Sequence, residues 1–368
     1  MLARSGGAPE VTAGHSAVGT DRKANSLKVI KIGLCGCGYW GQNLLRTFSD
    51  DPRFEVVAVS DLLESARQRA RRAGTGLRLY PEAAELVDDP EVEAVAIATP
   101  AATHFRLARR SLLAGKHVLV EKPMSASAAE GRELVALAER SGATLMVDHT
   151  YLFHGAVRKL GKLYRSDALG AVSYYDSLRV NLGLFQPDLN VLWDLGPHDF
   201  SIMDYLFDED PLHVEATGYC HVNTHLPDIA YVTVHFASNV IAHFNLSWMS
   251  PVKVRRIAIG GSKRMVVWDD LNREEKLKIY NSGISFQQEE ERSHIMPSYR
   301  IGDIYSPRVS DCEPLAEVVA HFGNVIAGRE RSIMDGRKGL RIVDLLERAQ
   351  ASLDASLRTT SALRQAAE

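Results

Sequence analysis

From Leu27 onward the apolar positions fall into two alternating rhythms. Short, nearly continuous apolar runs ("KVIKIGLCG", "FEVVAVSD", "EAVAIATP", "HVLVEKP" and "TLMVDH") read as strands buried on both faces. Between them, "WGQNLLRTFSD", "LLESARQRARRAG", "HFRLARRSLLAGK" and "SAAEGRELVALAERSG" carry helical spacing, with Gly74 and Gly115 as stops. The short run "LRLY" adds a further pairing. Repeated strand–helix units of this kind predict a doubly wound parallel sheet of Rossmann type over residues 27–150.

Past residue 150 the rhythm changes. "GAVRKLGKLYRSDALG" reads as a helix, "AVSYYDSLRVN" as a strand, and "NVLWDLGPHDFSIMDYLF" opens another helix. Alternating stretches follow: "HVEATGYCHV", "IAYVTVHFAS", "VIAHFNLSWMS", "VRRIAIGGS" and "RMVVWDD". Two amphipathic helices, "EPLAEVVAHFGNVIAG" and "DGRKGLRIVDLLERAQASLDASL", close the pattern. Residues 151–358 are therefore expected to form an α+β domain with a large open, mostly antiparallel sheet, with 359–368 as a tail. Strands such as "IAYVTVHFAS" look apolar enough on their open face to bury another subunit. Residues 1–26 are small and polar without an apolar h-region, which predicts a disordered leader rather than a signal peptide.

Composition narrows the partners. A formal net charge of -3 over 368 residues gives no reason to expect a nucleic acid or an anionic membrane surface. No segment is long and apolar enough to span a bilayer. The four cysteines, Cys35, Cys37, Cys220 and Cys312, are too few and scattered for a disulfide framework, which favours a reducing cytoplasm. Cys35 and Cys37 lack nearby companions for a metal site, so no metal is expected.

The chemistry-bearing residues sit where the predicted strands end. "GCGYWG" places Gly36, Gly38 and Gly41 in G-x-G-x-x-G spacing, with Tyr39 and Trp40 between them, after a strand and before a helix. In that context the first glycine allows the tight turn, the second lets backbone approach a pyrophosphate, and the third lets helix pack on strand. Asp61 ends the next strand, where a carboxylate binds adenosine ribose hydroxyls or simply caps the following helix. No arginine follows it directly, which favours NAD over NADP, although Arg67, Arg71 and Arg72 lie further along. Thr99, Pro100 and His104 reach the ligand edge of the sheet; His104 is either a ligand residue or a plain helix start. Glu121 and Lys122 end the fourth strong strand on that same edge, so Lys122 points toward the nicotinamide end of a cofactor.

Taken together, "GCGYWG", "ATPAATH", "AGKHVLVEKPMS" and "WDLGPHD" resemble the glucose–fructose oxidoreductase/inositol dehydrogenase/MocA family from Lys28 to about Leu353. The resemblance implies that Lys122 lies beside a substrate hydroxyl, that Asp194 and His198 are its Asp-x-x-x-His pair, and that the Lys122–Pro123 bond is cis. The residues agree: Asp194 and His198 are four apart, on one face of a helical turn, and Pro197 suits a first helical position. Alcohol oxidation needs a base near neutral pH, and histidine with a neighbouring lysine supplies one. Asp199 either orients the imidazole or solvates the helix. The resemblance also implies a homodimer or homotetramer formed through the C-terminal sheet.

A finer likeness, in "RVNLGLFQPDLNVLWDLGPHDFSIMDYL" and "SYRIGDIYSPRVSDCEPLAEVVAHF", is to the nucleotide-sugar branch, which includes enzymes that oxidise C3 of UDP-N-acetylglucosaminuronate. Such a substrate needs cationic and polar contacts, for which Arg179, Asn181, Tyr299, Arg300 and Arg308 are the candidates. A dehydrogenase of a free sugar or inositol, a ketoreductase of a nucleotide deoxysugar, and a non-catalytic NAD-binding sensor are the alternatives.

Overall fold

The computed structural model describes residues 29–367 apart from 75, 184, 186–188, 223–224 and 286–297. The expected leader lies outside the described residues. Six strands form the first sheet: β1 (Ile30–Cys35), β2 (Phe54–Ser60), β3 (Arg78–Tyr80), β4 (Ala94–Ile97), β5 (His117–Glu121) and β6 (Leu145–Asp148). They are all parallel, in the order β3-β2-β1-β4-β5-β6. The reversal of strand order between β1 and β4 opens the crevice in which ligands of such sheets bind. Helices α1 (Tyr39–Asp50), α2 (Glu64–Ala73), α3 (Ala83–Asp88), α4 (His104–Leu113) and α5 (Ala128–Ser141) cover the sheet. Both faces of the central strands are therefore buried, which is why β4 reads as an unbroken apolar run. The "LRLY" pairing is β3, at the sheet's edge.

After α6 (Gly155–Arg165) the chain builds the second sheet. Its strands are β7 (Val172–Leu182), β8 (His213–Tyr219), β9 (Ile229–His235), β10 (Ile241–Ser247), β11 (Met249–Gly261), β12 (Met265–Asp269), β13 (Leu277–Tyr280) and the short β16 (Ile304–Tyr305). The order is β16-β13-β12-β11-β7-β10-β9-β8, antiparallel throughout except that β7 and β10 run parallel. A small ribbon pairs β14 (Gly283–Ser285) with β15 (Ser298–Arg300). One face, with Ala230, Val232, Val234, Phe244 and Leu246, is buried against α7 (Val191–Phe207), whose Phe200, Met203 and Leu206 complete the core. The other face is open and mixed, with Tyr231 and Ile241 exposed among Thr233, His235 and His243. Pro197 lies inside α7, not at its first position. The helix instead starts one turn and a half earlier, because the Asn190 side chain accepts the Trp193 N–H at 3.1 Å and caps it there.

Two C-terminal helices tie the sheets together. In α8 (Pro314–Ile326), Phe322 stacks on Phe54 with ring centroids 6.0 Å apart. In α9 (Gly336–Ala367), Arg337 pairs with Glu139 of α5 while Arg341 pairs with Asp204 of α7. The helix runs on through the segment read as a tail. Among the described residues, no helix is long and apolar enough to cross a membrane.

Candidate active site

A cleft of about 1090 Å³ runs between the two sheets. At one end it is lined by Tyr39 and Trp40, which directly follow the glycine turn. Gly36 has φ +89, and a Cβ there would meet the Ala98 carbonyl oxygen at 2.6 Å. A Cβ on Gly41 would sit 2.1 Å from the Gly36 oxygen, so the helix start packs directly on the turn. Around Gly38 there is nothing within 4 Å of an added Cβ, and α1 begins immediately after it with no side-chain cap. Backbone N–H groups and the positive end of a helix thus face open space, which fits a dinucleotide pyrophosphate. Tyr39, exposed, and Trp40 line the same end.

Asp61 holds this turn from behind. Its Oδ2 accepts the Cys37 N–H at 2.8 Å and its Oδ1 the Leu63 N–H at 2.9 Å. It therefore holds the turn that leads into the next helix and braces the glycine loop, while each carboxylate oxygen keeps a lone pair for a ribose hydroxyl. Arg67 is occupied: it donates to the Asp61 and Leu62 carbonyls and pairs with Glu64. Thr99, Pro100 and His104 also line the cleft. His104 is only 1% exposed, and its two ring nitrogens lie 2.8 Å from the carbonyl oxygens of Pro123 and Thr99. The ring is a strut between the two loops at this edge, which leaves it no free nitrogen for a ligand.

Lys122 ends the same edge, and the Lys122–Pro123 bond is cis. The lysine Nζ donates to Asp194 Oδ1 at 3.0 Å and to the Asp194 carbonyl at 2.8 Å. The second Asp194 oxygen accepts from the Trp248 indole N–H at 3.2 Å. The carboxylate is thus fixed from two sides, and it fixes the ammonium group in turn. His198 lines the cleft one helical turn further on. Its Nδ1 is buried without a hydrogen-bond partner. Burial, and then the positive charge of Lys122, hold its pKa well below the ordinary histidine value, so the ring is neutral at pH 7.

Beneath His198 lies a chain of contacts that the sequence reading assigned otherwise. Arg179 is 3% exposed in β7. Its Nε and Nη2 donate to Asp199 at 2.9, 3.0 and 2.7 Å. Asp199 neither orients the imidazole nor solvates the helix, and Arg179 does not reach the substrate space. The arginine stacks over Tyr151 at 4.6 Å, and Tyr151 meets the His198 ring edge-on at 5.1 Å. The pair is a buried support beneath the cleft wall that carries His198. The alternation of β7 puts Arg179 and Asn181 on the same face; Arg179 lies where that face is covered, and Asn181, near the strand's end, lines the cleft.

Of the other substrate candidates, Asn181 lines the cleft. Tyr299 is exposed on β15, Arg300 bonds the Lys263 carbonyl, and Arg308 is exposed; none of the three lines the cleft. Other polar residues that the sequence reading missed line the cleft instead. Arg255 donates to the Tyr151 hydroxyl at 2.7 Å and reaches Asp270 at 3.4 Å, while its Nε is buried without a partner. His154 sits 3.5 Å from the same Asp270. At the mouth, Arg46 of α1 pairs with Glu313 at 2.5 Å. Arg255 and Trp248 lie in or beside a β-strand with no local motif, so only the hint of an arginine within an alternating strand marked them. Among the described residues, no group of three or more His, Cys, Asp or Glu is placed to hold a metal.

A glycine turn fit for a dinucleotide and, in the adjoining cleft, a fixed lysine–carboxylate pair are the parts an oxidoreductase of CH–OH groups needs. The chain belongs to the GFO/IDH/MocA oxidoreductase family: the NAD-binding Rossmann model matches residues 30–149 and the C-terminal domain model residues 157–267. It is 30% identical to D-apiose dehydrogenase of Paraburkholderia graminis over 61% of this chain and 62% of that protein, so the match spans less than two thirds of that relative. It is 26% identical to UDP-N-acetylglucosamine 3-dehydrogenase of Acidithiobacillus ferrooxidans over 89% of this chain and 98% of the relative. The solved structure of that enzyme superposes with a TM-score of 0.75 at 25% identity, covering 89% of this chain and 99% of the other. WlbA dehydrogenase of Bordetella pertussis, solved with NADH and UDP-GlcNAcA, shares the fold at 19% identity, covering 89% and 97% of the two chains with a TM-score of 0.72.

Proposed function

We propose that this protein oxidises a sugar hydroxyl to a ketone with NAD, and that its substrate is a nucleotide sugar oxidised at C3, of the UDP-N-acetylglucosaminuronate kind. The observation that carries the reading is the Lys122–Asp194 pair set in the same cleft as Tyr39 and Trp40, the first helical residues after the glycine turn. NAD supplies the hydride acceptor when bound there. The ammonium of Lys122, held by Asp194, stabilises the negative charge that develops on the substrate oxygen. The neutral ring of His198 takes the hydroxyl proton. The proton leaves with the hydride's departure from the same carbon, so alcohol and NAD become ketone, NADH and one proton. Asp61, with Arg67 already engaged, supports NAD over NADP.

The substrate half of the proposal rests on the relative that matches along most of its length and on the cations of the cleft. Arg255 offers a free Nε, and Arg46 and Asn181 lie along the walls. These suit a diphosphate or carboxylate. The D-apiose dehydrogenase relative favours a second reading, a free-sugar dehydrogenase. In either case the working form is a homodimer or homotetramer joined through the open sheet face, in a reducing cytoplasm where the free cysteines persist. Light scattering that finds only monomer overturns the assembly.

The test is hydride transfer to NAD and NADP with nucleotide sugars, free hexoses, pentoses and inositols, in the wild type and in Lys122→Ala. NAD reduction by a UDP-sugar, lowered ~10²–10⁴-fold in the variant while NAD still binds, is the expected result. Turnover of free sugars alone overturns the nucleotide-sugar reading. Full activity in Lys122→Ala overturns the site.

A further inference from the structure

Strands β5 and β6 end side by side, and their register pairs Glu121 with Asp148. Paired residues on neighbouring strands project to the same face, about 4.8 Å apart along the sheet. Two carboxyl groups therefore meet at the sheet's ligand edge, one residue before Lys122. Asp148 is 1% exposed. Its Oδ1 accepts the Thr150 hydroxyl at 2.6 Å, and its Oδ2 is buried with no donor. Glu121 lines the cleft; its Oε2 accepts the Lys122 N–H at 3.3 Å, and its Oε1 is likewise buried with no donor. The register thus sets the two carboxyl groups side by side at the ends of neighbouring strands.

Two carboxyl groups paired on neighbouring strands, each with a buried oxygen that has no hydrogen-bond partner, are costly unless a proton lies between them. A single proton accounts for both. We propose that Glu121 and Asp148 share one proton, carried by Glu121 Oε1 and donated to Asp148 Oδ2, and that Asp148 is thereby a positioning residue that sets Glu121 and the backbone of Lys122.

The surroundings say which partner carries the proton. Burial, and next the charge of Asp148, push the Glu121 carboxyl well above its usual range. Burial raises Asp148 too, but the Thr150 hydroxyl, the Glu121 acid and the Trp40 indole pull it back. Asp148 is the anion and Glu121 the acid. The other ionisable groups around the pair are Lys122 just past β5, His149 just past β6, and Asp194 and His198 on α7. His149 and His198 are both held neutral, by burial and then by the Lys122 charge. Lys122 therefore faces the pair as the neighbouring cation. Losing the shared proton puts two negative charges in contact beside it and draws its ammonium away from Asp194. Activity then falls on the alkaline side as the pair ionises.

The proton itself is independent of the substrate; only its effect on turnover rests on the hydride-transfer reading. The test is infrared spectroscopy of the full chain without cofactor at neutral pH, in H₂O and D₂O, for the wild type, Glu121→Gln and Asp148→Asn. The expected result is a protonated-carboxyl band in the wild type that shifts in D₂O and is lost in both variants. Absence of the band in the wild type overturns the proposal. So does its persistence in Asp148→Asn, which makes Glu121 an acid on its own. In turnover, Asp148→Asn is expected to lower kcat/KM about tenfold, the equivalent of one buried hydrogen bond. A missing band in an enzyme that still turns over sugars sinks the shared proton alone. A band in a protein with no sugar turnover sinks the functional reading alone.

Discussion

Replacing Arg179 with Met separates a buried support from a substrate ligand. Asp199 is 1% exposed and receives three donor contacts from this one guanidinium, at 2.7 to 3.0 Å. Removing the arginine strands a carboxylate in the interior, which costs ~3–5 kcal/mol. The Tyr151 ring also loses the cation stacked at 4.6 Å, roughly another 0.5–2 kcal/mol. Replacing both partners, as in Arg179→Met with Asp199→Leu, leaves no orphaned charge and recovers most of the loss. The assay is thermal and urea unfolding of the wild type, both single variants and the double variant, with KM measured well below the transition. The expected outcome is a large loss in each single variant, a far smaller one in the double, and a KM changed only modestly. An Arg179→Met protein that unfolds like the wild type but has a KM raised ~100-fold or more refutes the reasoning and returns Arg179 to the substrate.

Two further outcomes follow from the geometry. Gly41→Ala places a Cβ at 2.1 Å from the Gly36 oxygen, so the glycine turn must shift; fluorescence titration should show NADH affinity at least about tenfold weaker, and unchanged affinity contradicts the close packing. His149 is 2% exposed, and burial followed by the Lys122 charge pushes its pKa down to about 3. In the unfolded chain it titrates near 6.5, so folding excludes a proton between the two values. Its contribution to stability is full above about 6.5 and is lost as pH falls toward about 3. By roughly pH 5 the loss is about 2 kcal/mol, and His149→Phe should flatten that part of the acid unfolding curve.

The parallel domain was legible because its signals are local. A strand buried on both faces must be apolar along its length, and a turn that brings Gly36 against Ala98 must be glycine. The open sheet was legible as a set of strands but not as an order: nothing in "VIAHFNLSWMS" says that β10 pairs in parallel with β7. The short strands from β13 onward were passed over, since two to four residues carry no period. Among the site candidates, Lys122, Asp194 and His198 stood out by motif, and all three line one cleft. Arg179 was misplaced because the sequence names an arginine in a strand without saying which face is covered. Arg255 and Trp248 carried no motif.

By itself the sequence determined the two-domain plan, the glycine cradle and the strand ends on which catalytic groups are mounted. Each of these depends on residues within a few positions of one another and on the steric limits of the backbone between them. Only the tertiary structure decided which charges meet. Lys122 finds Asp194 across 72 residues, Trp248 reaches the same carboxylate across 54, and Arg179 finds Asp199 across 20. Those pairings are set by strand order and by the face each strand turns inward. An ionised side chain chooses among such partners by burial, because away from water the cost of an unpaired charge exceeds every local preference.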